Sequence, residues 1–181
     1  MIEGLKVEDL QYHSDDRGWL VELVHGCDLP EHELYNVPPE PGSQHGVSIR
    51  APRFGQVYAV GDPAAGTIRA FHKHAVLWDY FTIINGSAKF VFVDDRDGVI
   101  EIPAPGQMVI KYPVSMQVEI LSVRRPARIT VPPGIFHGWM SLEPNTILIS
   151  TASEVYNREH PDEVRIPFDS FGTKIWAVNP R

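Results

Sequence analysis

Short apolar runs recur along the chain at close spacing, and turns rich in glycine and proline separate them. Because successive side chains of a strand point to opposite faces, such runs predict β-strands. The Asn85-Gly86 pair predicts a hairpin turn between two of them. Many short strands at this spacing are typical of a β-sandwich or barrel. The predicted strands cover residues 19–24, 56–60, 67–72, 79–84, 88–94, 98–102, 108–110, 116–121, 127–131 and 146–150.

Helical periodicity is scarce. Residues 31–35 and 161–164 could each start a short helix, and the proline-rich stretch 36–44 predicts a loop. No internal repeat or second domain is evident, so all 181 residues are assigned to one domain. Within it we expect N-terminal strands and a loop (1–60), a barrel core (61–152) and a C-terminal segment (153–181).

The charge balance and the cysteine content exclude several classes of protein. Asp and Glu outnumber Lys and Arg by 23 to 16, which disfavours electrostatic binding of nucleic acid over a broad surface. Cys27 is the only cysteine, so neither an intrachain disulfide nor a thiolate-rich metal site can form. The chain lacks a signal-peptide pattern and an apolar run of membrane-spanning length. We therefore expect a cytoplasmic protein that binds neither nucleic acid nor a membrane.

Metal-ligand chemistry is concentrated in two segments. His72 and His74 stand one residue apart on a predicted strand and thus on one face, and Asp79 follows five residues later. A Pro132-Pro-Gly turn then delivers His137. Three imidazoles and a carboxylate suit a divalent Fe, Ni, Co, Mn or Zn ion, and no organic cofactor is expected. The alternative is a hydrogen-bonded polar pocket that holds no ion.

These two segments resemble the motifs of the cupin superfamily. The first cupin motif is Gly, five residues, His-x-His, three or four residues, Glu, six residues, Gly, and here aspartate replaces the glutamate. The second motif is Pro-x-Gly, two residues, His; Pro126 and Ser141 replace its outlying glycine and asparagine. The resemblance implies an all-β double-stranded β-helix, a jelly-roll barrel with a few short helices. The matching residues are Gly66, His72, His74, Asp79, Gly86, Pro132, Gly134 and His137.

Within the cupins, almost the whole chain resembles the dTDP-4-dehydrorhamnose 3,5-epimerase family. The similar segments are residues 16–22, 66–72, 86–96, 132–138, 153–163 and 168–170. The resemblance implies that His72 removes a proton beside a ketone while Asp169 orients its imidazole. It further implies that Arg69 faces developing negative charge or a phosphate, and that His137 lies against the sugar.

The same resemblance implies a nucleotide-binding set. Arg17 and Glu22 would hold the nucleotide, Tyr156 would stack on its base, and Gln56 is also assigned to substrate binding. Plainer alternatives exist for several residues. Arg17 and Glu22 can form a surface ion pair, Tyr156 can fill the barrel mouth, and Asp169 can cap a turn.

Three departures from the family pattern fall within one cavity. The usual glutamine is His74, the active-site lysine is Asp79, and the general-acid tyrosine is Ser150. A bound dication would restore the charge that the lysine supplies. If His72 binds that ion, Asp169 would orient the His72 imidazole without binding the ion itself. Another group must then act as the base, such as hydroxide on the ion or Glu22.

The predicted function is an isomerase that acts on a nucleotide-linked 4-keto-6-deoxy sugar, as a homodimer. Loss of the tyrosine favours a single epimerisation or a ketone shift over double epimerisation. A metal-dependent oxygenase or lyase and a non-catalytic nucleotide-sugar-binding cupin are the alternatives.

Overall fold

A computed structural model describes residues 1–15, 18–24, 35–37, 47–49, 55–96, 99–101, 109–111 and 115–178. The fold is all-β, as the sequence predicts. Its strands are β1 (Lys6–Asp9), β2 (Tyr12–Asp15), β3 (Gly18–Val21), β4 (Tyr35–Val37), β5 (Val47–Ile49), β6 (Gln56–Asp62), β7 (Ile68–Lys73), β8 (Asp79–Asn85), β9 (Ser87–Asp94), β10 (Val99–Glu101), β11 (Val109–Lys111), β12 (Ser115–Ser122), β13 (Ala127–Val131), β14 (Ile135–Ser141), β15 (Thr146–Ala152) and β16 (Val164–Arg165).

Two five-stranded antiparallel sheets form the body of the molecule. We call the sheet in the order β1-β13-β8-β15-β6 sheet I, and the sheet in the order β12-β9-β14-β7-β16 sheet II. The pairs β2-β3, β4-β5 and β10-β11 form separate two-stranded sheets. Neighbouring strands are far apart in sequence, which is the non-local pairing of a jelly roll.

The predicted hairpin at Asn85-Gly86 is wrong. β8 pairs within sheet I and β9 within sheet II, so this turn carries the chain from one sheet to the other. Gly86 has a φ of 74°, and a Cβ there would lie 2.5 Å from Thr146 Oγ1, so the crossing requires glycine. The turn residues therefore signal a sharp reversal correctly, but the reversal joins two sheets.

An apolar core fills the space between the sheets. Sheet I contributes Phe81 and Ile129, and sheet II contributes Phe90, Phe92 and Trp139. Burial of each of these side chains stabilises the fold by about 1.5–3 kcal/mol. A second cluster on the outer face of sheet II consists of Phe71, Val91, Val93, Phe136, Met140, Ile166 and Trp176.

The expectation of short helices holds only near the C-terminus. The 3-10 helix Thr173–Trp176 is the one helix within the described ranges. The helix expected at 161–164 is wrong, because Asp162 accepts hydrogen bonds from another loop and Val164 begins β16. Residues 31–34 and 38–44 lie outside the described residues, while Tyr35–Val37 form β4. None of the helical structure in the described ranges is long and apolar enough to cross a membrane. The division of the chain at residues 60 and 152 stays a prediction.

Candidate active site

Four predicted ligand residues meet at one end of the space between the sheets. His72 is the last but one residue of β7 and lies opposite His137 of β14 in sheet II, and Asp79 begins β8 in sheet I. His74 follows β7, and the Gly134 N–H donates to its carbonyl at 2.8 Å. One ligand atom from each of the four residues lies within 4.8 Å of every other. Asp79, His74 and His137 are buried, and His72 is half-buried.

A register shift between β7 and β14 brings Arg69 to the same side as His72. His137 lies opposite His72, but Trp139 lies opposite Arg69, so β7 contains one extra residue over this stretch. Strict alternation would place Arg69 and His72 on opposite faces. Gly138 permits the close approach, because a Cβ there would lie 2.2 Å from Ala70 Cβ. Arg69 forms an ion pair with the buried Asp62 at 2.8 Å.

Backbone carbonyls set the tautomers of two histidines. His137 Nδ1 lies 3.0 Å from the Ile135 carbonyl oxygen, and His74 Nδ1 bonds to the Asp162 carbonyl oxygen. A carbonyl only accepts, so both Nδ1 atoms carry the proton and donate. In its neutral form, each ring therefore presents an unprotonated Nε2 to the cluster. The described residues provide no such carbonyl for His72.

The Asp79 carboxylate has one satisfied oxygen and one orphaned oxygen. Ser150 donates its hydroxyl to Oδ1 at 3.3 Å. Oδ2 is buried without a hydrogen bond, 3.4 Å from His74 Nε2 and 3.3 Å from His137 Nε2. With both rings in their neutral form, the two nitrogen lone pairs and the buried anionic oxygen repel one another, and a cation among them would remove this repulsion. The three groups together form a 2-His-1-carboxylate set.

His72 occupies an environment that opposes its protonation. Burial, followed by the neighbouring His137, His74 and Arg165, lowers its pKa from 6.5 to about 2. Its Nε2 lies 3.1 Å from His137 Nε2. The imidazole is therefore neutral at physiological pH, with a nitrogen lone pair available for a proton or an ion.

Asp162 fixes the loop between His74 and Asp79. Its carboxylate accepts hydrogen bonds from the backbone N–H groups of residues 75, 76 and 77 at 2.9, 3.0 and 3.0 Å. Burial opposes ionisation of Asp162, but these three bonds outweigh it and lower its pKa below the ordinary value. Because the same residue's carbonyl accepts from His74, one residue sets both the loop and the imidazole.

Tyr58 of sheet I lies near the Asp79 carboxylate of the cluster. It lies directly opposite Ser150 in the β6–β15 pair and hydrogen-bonds the Ser150 hydroxyl. Burial raises its pKa, and the Asp79 carboxylate raises it further. The Tyr58 phenol is therefore protonated at neutral pH. Tyr58 shares its strand face with the inward-directed Val60 and Asp62.

Further polar residues lie close to the cluster through the strand pairing. Gln56 Oε1 accepts from the Tyr156 N–H at 3.3 Å, and the Tyr156 side chain is exposed. Arg165 lies opposite His72 on β16 and pairs with Glu163 at 2.8 Å. These residues combine an aromatic surface, an amide and a cation.

The remaining predicted site residues are not brought into the cluster. Asp169 lies in an exposed turn, and in the described part of the chain no hydrogen bond joins its carboxylate to His72. Glu22 is exposed after β3. Arg17 lies outside the described residues.

Sequence reasoning missed Tyr58, Asp162 and Arg165 as site residues. Tyr58 has a local signal, because it stands two residues after Gln56 on a predicted strand and so shares its face. Asp162 and Arg165 have none, since their positions depend on β16 pairing with β7.

The chain is similar to known proteins over nearly its full length, although no family model matches it. The spore coat polysaccharide biosynthesis protein SpsL of Bacillus subtilis is 31% identical over 172 residues, covering 93% of this chain and 91% of SpsL. The probable low-salt glycan biosynthesis epimerase Agl13 of Haloferax volcanii is 27% identical over 171 residues, covering 93% and 89%. The crystal structure of dTDP-4-dehydrorhamnose 3,5-epimerase from Bacillus anthracis, with TDP and PPi bound, superimposes with a TM-score of 0.63 at 20% identity, covering 92% of this chain and 80% of that one.

Proposed function

The chain belongs to the cupin family of dTDP-4-dehydrorhamnose 3,5-epimerases and related sugar isomerases, and we propose that it isomerises a nucleotide-linked 4-keto-6-deoxy sugar. The reaction is a proton transfer at a carbon beside the ketone, as a single epimerisation or a ketone shift. The observation that carries this proposal is the cluster of neutral His72 with His74, Asp79 and His137 inside the barrel.

His72 is proposed as the base. Its ring lacks the carbonyl anchor that fixes His74 and His137, and it is half-buried where those two rings are buried. A carbon acid beside a ketone loses its proton when a base is positioned and the resulting enolate is stabilised. Arg69, 49% exposed and held by Asp62, supplies a fixed positive charge on the same face for the enolate or a phosphate.

The residues also fit a divalent cation. His74, His137 and Asp79 would hold it, because their Nε2 atoms and the orphaned Oδ2 converge. His72 can also reach this site, since its ligand atom lies within the same 4.8 Å. Such an ion would polarise the ketone oxygen as a Lewis acid. In the family pattern that the sequence resembles, a lysine stands at the position of Asp79 and supplies this positive charge.

The mouth of the cavity suits a nucleotide. Tyr156 offers an exposed ring for a base, and Gln56 is fixed beside it. Arg165 is available for a phosphate if its pair with Glu163 opens. Glu22 and Arg17 stay predicted contributors, as does Asp169. The homodimer and the cytoplasmic location also remain predictions.

Deuterium exchange and elemental analysis together test the proposal. Protein purified without an affinity tag is analysed for Fe, Ni, Co, Mn and Zn before and after chelation, then incubated in D₂O with TDP-4-keto-6-deoxyglucose. We expect deuterium beside the ketone and a rearranged product. His72→Gln should keep the metal and lower exchange by about 10²–10⁴-fold, whereas His74→Ala and Asp79→Ala should lose the metal.

His13→Gln on the exposed strand β2 is the matched control and should retain metal and exchange. Loss of metal in His72→Gln would make His72 a ligand and transfer the base role to another residue. Oxygen uptake without deuterium exchange would indicate an oxygenase. Nucleotide binding without exchange or product would indicate a binding protein.

A further inference from the structure

The two five-stranded sheets each carry one proton-carrying group near the cluster. His72 belongs to sheet II, and Tyr58 belongs to β6 of sheet I. Inversion at a carbon requires removal of a proton from one face and delivery of a proton to the other. A single residue cannot do both without the sugar turning over, so an inverting site needs groups on opposite walls.

We propose that Tyr58 is the catalytic residue that delivers the proton, acting from the wall opposite His72. This inference rests on the proposed function and adds to it the second acid–base group. Among the described residues, the other groups of the cluster are either bonded to backbone carbonyls or are carboxylates, and Arg165 retains its proton.

A fixed hydroxyl chain positions Tyr58. The Ser150 hydroxyl donates to Asp79 Oδ1 at 3.3 Å, which leaves the Ser150 oxygen to accept from the Tyr58 hydroxyl. Ser150 is completely buried and Asp79 nearly so, and neither can move without breaking a buried hydrogen bond. Tyr58 is 40% exposed, so its hydroxyl can be approached by a substrate and resupplied with protons by solvent.

The proposed proton transfers balance. His72 takes the proton beside the ketone, the C–H bond breaks, and its electron pair passes to the ketone oxygen as an enolate. The Tyr58 hydroxyl then turns from Ser150 towards the enolate carbon and gives it its proton on the opposite face; the O–H bond breaks and a new C–H bond forms. Solvent protonates the phenolate and removes the proton from His72. No oxidant or reductant is consumed.

The test separates proton removal from proton delivery. Wild type, Tyr58→Phe and Tyr12→Phe, the last on the exposed strand β2, are incubated with TDP-4-keto-6-deoxyglucose in D₂O. Deuterium entry and product of inverted configuration are measured separately. For Tyr58→Phe we expect deuterium entry within about threefold of wild type and product formation at least about 10²-fold slower. Tyr12→Phe should match wild type in both.

Ser150→Ala is the second variant, because it removes the partner of Tyr58 but leaves the phenol. It should slow product formation less than Tyr58→Phe does and leave deuterium entry unchanged. Equal loss of deuterium entry and product in a folded Tyr58→Phe protein would overturn the inference, since that is the effect of disturbed binding. Normal product formation in Tyr58→Phe would also overturn it. Absence of deuterium entry in wild type would overturn the proposed function itself, and the inference with it.

Discussion

Acidification of the metal-free protein should reveal the environment of His72. In the unfolded chain this imidazole has a pKa of 6.5, whereas in the folded protein burial and its neighbours lower the pKa to about 2. Below pH 6.5 the unfolded state therefore binds one proton more than the folded state, so acid favours unfolding. The free energy of unfolding should fall through this one group by about 1.4 kcal/mol per pH unit, or about 2.7 kcal/mol between about pH 8 and about pH 4.5.

Urea unfolding at several pH values, with a chelator present, measures this loss. His72→Gln is the comparison, because glutamine fills a similar volume and does not titrate in this range. The pH dependence of wild type should be steeper than that of the variant by about 1.4 kcal/mol per pH unit. Parallel curves would show that folding leaves the pKa of His72 unchanged, which would refute the environment assigned to its imidazole.

Two further substitutions test how the site is held. Gly138→Ala should lower the free energy of unfolding by about 3 kcal/mol, because the new Cβ would lie 2.2 Å from Ala70 Cβ and the strand backbone must shift. Gly61→Ala, with no atom within 4 Å of its new Cβ, is the control, and equal urea midpoints for both would contradict the packing argument. Asp162→Ala should cost about 2 kcal/mol in urea unfolding through three lost charged hydrogen bonds, and Asp162→Asn about half as much. The Ala variant should also bind less metal on reconstitution. Full metal occupancy with unchanged stability would contradict the role of Asp162 in fixing the loop and the His74 imidazole.

The sequence predicts most of the strands and the positions that meet in the cluster, because both depend on local patterns. Alternation identifies β6, β7, β8 and β9 within about two residues at each end. β14 was not predicted as a strand, since Ile135–Ser141 is buried on both faces and follows a Pro-Pro-Gly turn. Buried runs of this kind do not show the period-2 pattern.

Local sequence patterns do not predict features that depend on pairing between distant strands. The register shift that brings Arg69 to the same face as His72 follows from the pairing of β7 with β14. The contact of Tyr58 with Ser150 follows from the pairing of β6 with β15. The Asn85-Gly86 turn shows the same limit, because the reversal is visible in the sequence and the sheets it joins are not.

The aromatic core between the sheets has a consequence for the chemistry at its end. Phe81 of sheet I lies 5.5 Å from the His137 ring and 5.8 Å from Phe90 of sheet II, measured between ring centroids. This aromatic layer separates the two sheets that carry His72 and Tyr58, so its thickness contributes to the distance between the two groups. Under the proposed function, a change in the volume of these core residues should therefore alter which sugar ring fits, although none of them is a polar group of the site.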